Sequence, residues 1–463
     1  MSQDISRTNA FTHGPLGPTL FKTALPVVFV MGMNGLLTVT DAVFLGLFAG
    51  PEALSSVTLM FPAYMLLVAL ATLVSNGMSS ILARHLGGER ICAAQAVFAG
   101  AHWLALSTGA LVIALFWLFG RAITLAAANG SAGIADMSYA YLLITVCFSP
   151  LFFVLSVNAD ALRNEGRAPL MAGISLFVSV ANIVFDYVLI GPLDFGVAGS
   201  AWATALAQMF AMALLLVFRK RGRTHLGFGA LVRPPSARDW PRMLALGAPQ
   251  SLSFIGIALG STATFAMLQV TADGGYGTTV AAFGIVTRIM TFAYLPLLGL
   301  AQALQAMIGN NYGAKLWHRT DDTLRLGLTA AFLYCAGVQT ALSLFAYPLG
   351  FLFAADSAVA GDVARILPTM VAMYFAMGPL FVVATYFQAL GDARRAALLG
   401  LAKPYAFFLP LVAILPHLAG ERGIWLASPL GEVLLLALTV AVLTVTARNA
   451  PARWGLFFAP RPG

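Results

Sequence analysis

Two aspartates interrupt long apolar segments of this sequence, and each has the chemistry of a proton or cation carrier. Asp41 is the only charged residue between positions 22 and 52, and Asp186 lies in the apolar stretch ANIVFDYVLIG. An aspartate at the centre of a membrane helix costs about 2.5 to 3.5 kcal/mol on insertion scales. Low-dielectric surroundings favour the neutral carboxyl, so such a residue can take up a proton on one side of a membrane and release it on the other.

Polar side chains accompany the second acid at helical spacing. Asn182 precedes Asp186 by four residues, so both side chains project from one helical face. Thr204 lies in the next apolar segment, after the short turn GPLDFG. Carboxylate, amide and hydroxyl oxygens suit a hard cation such as Na+. We therefore predict an ion-coupling site made of Asp41, Asp186, Asn182 and Thr204, in which the last three are the candidate sodium ligands.

These residues are predicted to share one layer of a membrane. At about 1.5 Å per residue, each lies on the order of 8 to 15 Å from the outer end of its segment. Tyr141 falls in the same layer. The alternative is a structural pair of protonated or hydrogen-bonded acids, but acids inside a membrane are functional by default.

A second set of polar residues inside the apolar segments gives candidates for a substrate cavity. It consists of Tyr141, Asn34, Asn158, Gln208, Arg288 and Glu432. Each also has a structural interpretation, in which the side chain bridges helices or extends towards the interface. Pro26 is predicted to be a point at which the first segment bends, and the alternative is a fixed kink.

The composition requires a membrane to position these residues. Of the 463 residues, 60% are hydrophobic and only 10% are charged, whereas a soluble domain has about 25% charged residues. About 20 apolar residues cross a bilayer, so the pattern predicts an all-α polytopic protein with twelve transmembrane helices. The segments lie near residues 17–48, 52–83, 93–119, 134–161, 168–191, 194–218, 241–270, 278–308, 323–352, 363–390, 394–416 and 423–447.

Lysine and arginine are distributed unevenly between alternate loops. With the N-terminus inside, the cytoplasmic loops carry 21 of them and the opposite loops carry three. This asymmetry predicts that both termini are cytoplasmic. It also explains the net charge of +8, so no nucleic-acid partner is expected. No cleaved signal peptide is expected. We predict a bacterial-type cytoplasmic (inner) membrane as the location.

The two halves of the chain resemble each other. SPLFFVLSVNADALRNEGRA (149–168) ends the fourth segment, and GPLFVVATYFQALGDARRA (378–396) ends the tenth. Six segments per half give a parallel repeat, which is typical of transporters and predicts a cavity between the halves. The predicted domains are an N-terminal lobe (1–218), a cytoplasmic linker (219–242), and a C-terminal lobe with a short tail (243–463).

These motifs resemble the multidrug and toxic compound extrusion (MATE) transporters. The resemblance rests on the repeat, the turns ALRNEG and QALGDARR, the stretch GVAGSAWATALAQ, and Asp41 in the first segment. It implies a V-shaped fold of two pseudo-symmetric six-helix lobes. It is nearest to the DinF-like branch, which places its coupling residues in the N-terminal lobe. Residues of this sequence that match that branch are Asp41, Asn182, Asp186, Thr204, Tyr141 and Pro26.

The C-terminal half does not repeat the acids. Pro410 and Ile414 stand where the repeat would place Asn182 and Asp186, so a coupling site of the other branch, in the C-terminal lobe, is not expected. The resemblance implies secondary active efflux of amphipathic, often cationic organic compounds, coupled to H+, Na+ or both.

Three alternatives to drug efflux remain open on the sequence. A flippase for a lipid-linked precursor has the same topology, but only Arg288 and Lys403 are available as cavity cations. A membrane enzyme needs a convergent catalytic set, and a channel needs no buried carboxylate switch. We expect no enzyme activity, no cofactor and no ATP-binding loop. The expected partners are small organic substrates and the lipid bilayer, and the protein is expected to be a monomer.

Overall fold

The structure is a computed structural model, and it describes residues 9–128, 131–221, 224–231, 237–271, 276–354, 356–449, 452–453 and 455–458. Apolar segments fold as helices because a helix satisfies its own backbone hydrogen bonds in lipid. The helices are α1 (Ala10–His13), α2 (Leu16–Phe44), α3 (Pro51–Gly87), α4 (Ile91–Ala127), α5 (Ala132–Cys147), α6 (Ser149–Asn164), α7 (Ala168–Ile190), α8 (Gly196–Lys220), α9 (Phe228–Leu231), α10 (Trp240–Thr271), α11 (Tyr276–Gly313), α12 (Trp317–Leu344), α13 (Ala346–Ala354), α14 (Ser357–Met370), α15 (Tyr374–Leu390), α16 (Ala393–Leu401), α17 (Leu409–Ala419) and α18 (Glu421–Asn449).

Irregular elements extend or join several of these helices. A π-helix, Leu45–Ala49, continues α2, and a second π-helix, Ala402–Phe408, joins α16 to α17. A short 3-10 helix, Ala237–Asp239, precedes α10. Near the C-terminus, β1 (Ala452–Arg453) pairs with β2 (Phe457–Phe458) in an antiparallel ladder.

The described helices account for twelve membrane spans. Ten helices are long and apolar enough to cross a membrane by themselves. Two further spans are bent pairs, in which α5 meets α6 at 48° and α14 meets α15 at 49°. The predicted number of spans is thus confirmed, whereas the sequence pattern did not predict the two bends.

Proline and a side-chain cap account for the bends. Pro150 is the second residue of α6, and Pro368 lies in the last turn of α14. Proline lacks an amide donor and breaks the hydrogen-bond ladder of a helix. At the second bend, Gln339 Nε2 donates to the Ala372 carbonyl at 2.9 Å, and Gln339 Oε1 accepts from the Phe375 amide at 2.9 Å. The glutamine thereby supplies partners that the broken helix cannot supply.

Contacts divide the chain into two compact units. The first contains Phe21–Ser251 and the residues up to His13, and the second contains Gly14–Leu20 and the residues from Leu252 onward. The predicted boundaries at 218 and 243 stay a prediction, and parts of the predicted linker (222–223 and 232–236) lie outside the described residues.

Close helix packing in the first unit depends on small residues. A Cβ on Gly77 of α3 would lie 1.9 Å from the Met243 carbonyl oxygen of α10, and one on Gly247 would lie 1.8 Å from the Leu73 oxygen. Any larger residue would force these helices apart. Packing of this kind, rather than exclusion of water, drives helix association in lipid.

An apolar cluster of the first unit fixes the ends of four helical segments. Its buried members are Leu45, Ala53, Ile190 and Val197, with Tyr141 packed against them. They come from the π-helix after α2 and from α3, α7 and α8, and Tyr141 comes from α5. The cluster therefore places the last turns of α2 and α7, which carry Asp41 and Asp186, next to each other.

Candidate functional site

The structure brings the two intramembrane aspartates together. The carboxyl groups of Asp41 on α2 and Asp186 on α7 lie within hydrogen-bonding reach of each other. Asp186 is fully buried, and Asp41 is partly buried. Two carboxylates this close in an apolar site cannot both ionise. Among the described ion pairs, none includes either residue, so the pair requires a proton or a bound cation.

Asn182 connects Asp186 to the neighbouring helix. Its amide makes its best hydrogen bonds in one orientation, with Nδ2 donating to Asp186 Oδ2 at 3.1 Å. In that orientation Oδ1 accepts from the Thr204 amide at 3.0 Å and from the Thr204 hydroxyl at 3.3 Å. The other oxygen of Asp186, Oδ1, has no donor among the described residues. It is therefore an available position for an ion.

The oxygens of this cluster fit a sodium ion in only one arrangement of the amide. When Asn182 turns its amide oxygen towards Asp186, two acceptors face each other at 3.1 Å, and its nitrogen lies 3.3 Å from the Thr204 hydroxyl. A hard cation prefers such oxygen pairs. In the opposite orientation the amide donates to Asp186 Oδ2, so this oxygen no longer forms an oxygen pair with Asn182, whereas Asp186 Oδ1 stays open to a proton. The Asn182 orientation thus distinguishes the two ions.

Two tyrosines lie beside the acid pair. The charges of Asp41 and Asp186 act on the hydroxyl of Tyr141, and the charge of Asp41 also acts on Tyr64 of α3. Tyr141 is a predicted site residue, but Tyr64 was missed. No spacing pattern joins Tyr64 to either acid, so the sequence offered no signal for it.

The remaining predicted site residues of these helices lie apart from the pair. Pro26 is inside α2, which is one continuous helix from Leu16 to Phe44. Asn34 is exposed on the same helix, and Gln208 is partly buried on α8. Their proposed roles in bending and in the substrate cavity stay predictions.

Comparison with known proteins decides the family. The MatE family profile matches residues 26–188 and 253–403, which is more than half of the chain. The chain belongs to the MATE family. The DinF-like branch stays a prediction.

The relatives of this MATE protein are named as transporters or export proteins, and they align with it over almost their whole length. The FAD transporter of Shewanella oneidensis is 25% identical over 430 residues, covering 91% of this chain and 93% of the relative. The multidrug export protein MepA of Staphylococcus aureus is 22% identical over 417 residues, covering 89% and 90%. A crystal structure of a MATE protein in complex with MaD3S superposes with a TM-score of 0.85 at 23% identity, covering 96% and 98%. This MATE chain is thus a multi-pass membrane protein with the MATE fold, and its relatives carry the names of transporters.

Asn158, a predicted cavity residue, lies in a different polar cluster of this MATE protein. Its Nδ2 contacts His102 Nε2 at 2.8 Å, and its Oδ1 accepts from Arg219 Nε at 2.7 Å. Arg219 is fully buried, donates to the Leu226 carbonyl at 2.6 Å and faces Glu165 at 3.6 Å. The cluster attaches the chain after α8 to the first unit, and a cavity role for Asn158 stays a prediction.

The second unit of the MATE chain contains an ion pair inside its spans. Glu432 on α18 is buried and accepts a hydrogen bond from Lys403 in the second π-helix. The sequence singled out both residues but did not pair them. Arg288, the other cation inside a predicted span, is exposed on α11. Its role as a cavity residue stays a prediction.

Proposed function

We propose that this MATE protein is a secondary active exporter of amphipathic, often cationic organic compounds, driven by H+, Na+ or both. The observation that carries this proposal is the contact between the carboxyls of Asp41 and Asp186 inside apolar helices. A pair of like charges of this kind is stable only with a mobile counter-ion, and an ion gradient is a source of such ions. Relatives with the names multidrug export protein and FAD transporter support the export of organic molecules.

In the proposed cycle, the acid pair takes up an ion from outside and gives it up inside. Neutralisation removes the repulsion between Asp41 and Asp186, so the two helices can approach. Asn182 then holds Asp186 through its amide, and α2 bends at Pro26 and narrows the lobe. Substrate leaves on the outer side, and the protein returns with the ion.

Proton and sodium make different use of the same residues. A proton bridges Asp41 and Asp186 and leaves the Asn182–Thr204 hydrogen bonds intact. A sodium ion takes oxygens from Asp186, Asn182 and Thr204 and requires the amide to turn. We favour the proton for the first test, because it preserves more of the hydrogen bonds of the cluster.

The proposed location follows from the distribution of basic residues. With 21 Lys and Arg on one side and three on the other, both termini of an inner-membrane protein lie in the cytoplasm. In this orientation the acid pair lies in the outer half of the membrane.

Transport by the purified full-length chain in proteoliposomes tests the proposal. Efflux of a fluorescent organic cation is measured with an imposed proton gradient and, separately, with an imposed sodium gradient. Asp41→Asn is expected to reduce gradient-driven efflux to the level of liposomes without protein. The control is Asp136→Asn, because Asp136 is exposed and pairs only with Arg121 at the surface. Wild-type rates in Asp41→Asn would contradict the coupling role.

A further inference from the structure

The Lys403–Glu432 pair lies deep inside the membrane. Lys403 is about 15 Å along its span from Ala393, and Glu432 is about 16 Å from Glu421, which is half of a hydrocarbon core of about 30 Å. Both residues belong to the second unit. Ionisable residues at this depth are costly and mark functional sites by default. The acid pair of the first unit does not use them, so they need an explanation of their own.

The two partners are unequally accessible. The Glu432 side chain is 4% exposed, whereas that of Lys403 is 25% exposed. An ammonium group has three donors, and Glu432 accepts one of them. The accessible charge of the pair is therefore the cation. A charged group in contact with lipid is strongly disfavoured, so the exposed part of Lys403 must face a space that water or a ligand fills.

Local structure presents the lysine to that space. Lys403 lies in a π-helix, and such interruptions are frequent at functional sites. A Cβ on Gly431 would lie 3.9 Å from Lys403 Cγ, so the lysine stem passes beside the residue that precedes Glu432.

Two further polar groups of this region have no function in the fold. Glu432 Oε2 and the Tyr374 hydroxyl are buried, and neither has a hydrogen-bond partner among the described residues. The charge of Glu432 acts on Tyr374, which places both in one region. Ala402 and Leu435 belong to an apolar cluster beside the pair. A few polar groups against an apolar wall are typical of a small-molecule site.

We propose that Lys403 binds an anionic group, a carboxylate or phosphate, of an amphipathic substrate. Glu432 holds the lysine in place while no substrate is bound. The incoming anion competes with Glu432 for the ammonium donors, and the buried Tyr374 hydroxyl, which has no partner among the described residues, is a candidate for a further donor. This inference rests on the proposed export function and assigns a substrate class to it: molecules with an acidic group on an apolar body.

Equilibrium binding to the full-length protein in detergent tests the assignment, because binding needs no ion gradient. The probes are two dyes on the same xanthene skeleton, the anion fluorescein and the cation rhodamine 6G, measured by fluorescence polarisation. Lys403→Gln is expected to weaken fluorescein binding about tenfold, as for the loss of a hydrogen bond to a charged group, and to change rhodamine 6G binding less than about twofold. Glu432→Gln is expected to strengthen fluorescein binding, because it removes the competing carboxylate.

Control variants distinguish a loss of anion binding from a failure to fold and from a failure of the proposed export function. Lys220→Gln, at an exposed lysine of α8, should change neither dye. If Lys403→Gln fails to fold, Lys403→Gln with Glu432→Gln replaces it, since the double variant contains no unpaired charge; it should lose fluorescein binding and retain rhodamine 6G binding. If Lys403→Gln changes the binding of both dyes equally, or changes the binding of neither, the assignment is wrong. Absence of gradient-driven efflux of both dyes by the wild-type protein, with the dye discrimination in binding intact, would instead count against the export function.

Discussion

The two halves of this MATE protein place charge inside the membrane in opposite ways. In the first unit, two carboxyl groups of the same sign meet and are incomplete without an added ion. In the second unit, a lysine and a glutamate meet and neutralise each other. Related six-helix halves therefore support different chemistry. A like-charged pair responds to an ion gradient, whereas an opposite pair needs no added ion and can present its ammonium group to a ligand.

A substitution that turns the like-charged pair into an oppositely charged pair should reduce efflux more than any other change. Asp41→Lys places an ammonium beside Asp186, and the new pair needs no ion. We expect gradient-driven efflux to fall to the level of protein-free liposomes while the protein still elutes as a single species in size-exclusion chromatography. The matched control is Asp136→Lys, which loses only a surface ion pair worth about 1 kcal/mol or less. Proton-driven efflux above about a tenth of the wild-type rate in Asp41→Lys would refute the like-charge mechanism.

Breaking the opposite pair should cost folding stability rather than coupling. Lys403→Met leaves Glu432 buried without a partner, and the loss of one member of a buried ion pair costs about 3–5 kcal/mol. We expect a clear drop in melting temperature in detergent. Lys403→Met combined with Glu432→Leu should recover most of this loss, because no charge remains. If the single and double variants melt at the same temperature, the two residues do not act as a pair.

The gross architecture was predictable because it follows from hydropathy and charge. The twelve spans were predicted from apolar length, and the family from motifs such as ALRNEG and GVAGSAWATALAQ. Asn182 and Asp186 were placed on one face by their spacing, and the structure does place them side by side on α7.

Contacts between distant segments were harder to predict. The partner of Glu432 was missed because the π-helix around Lys403 changes the helical phase, so a periodicity of 3.6 residues does not carry through it. Tyr64 reaches the acid pair through helix packing alone, and Gln339 caps a bend in a different span. None of these contacts leaves a pattern in a single segment.

The two bent spans offer a further comparison of the halves. In the second unit, Gln339 supplies partners to the Ala372 carbonyl and the Phe375 amide. Gln339→Leu removes both hydrogen bonds, at a cost of about 1 kcal/mol for each. We expect a lower melting temperature, with efflux retained at temperatures below it. Gln269→Leu, at an exposed position of α10, is the control, and an equal melting temperature for both variants would show that the cap contributes nothing.

The substitution with the smallest expected effect on efflux distinguishes proton coupling from sodium coupling. Thr204→Val removes the hydroxyl that donates to Asn182 at 3.3 Å and leaves the bond from the Thr204 amide at 3.0 Å. If a proton couples transport, proton-driven efflux should fall about fivefold or less, since a neutral hydrogen bond is worth about 1 kcal/mol. If sodium couples transport, the variant loses a ligand oxygen, and sodium-driven efflux should fall much further.

The control for this last comparison is Thr262→Val, because the Thr262 hydroxyl donates only to a carbonyl of its own helix. It removes the same atoms from a span without touching the acid pair, so it measures the cost of the substitution itself. A loss of proton-driven efflux in Thr204→Val beyond about fiftyfold would mean that the hydroxyl acts on the ion directly. The acid pair would then bind its counter-ion through three helices rather than two, and the like-charge pair would be one part of a larger cation site.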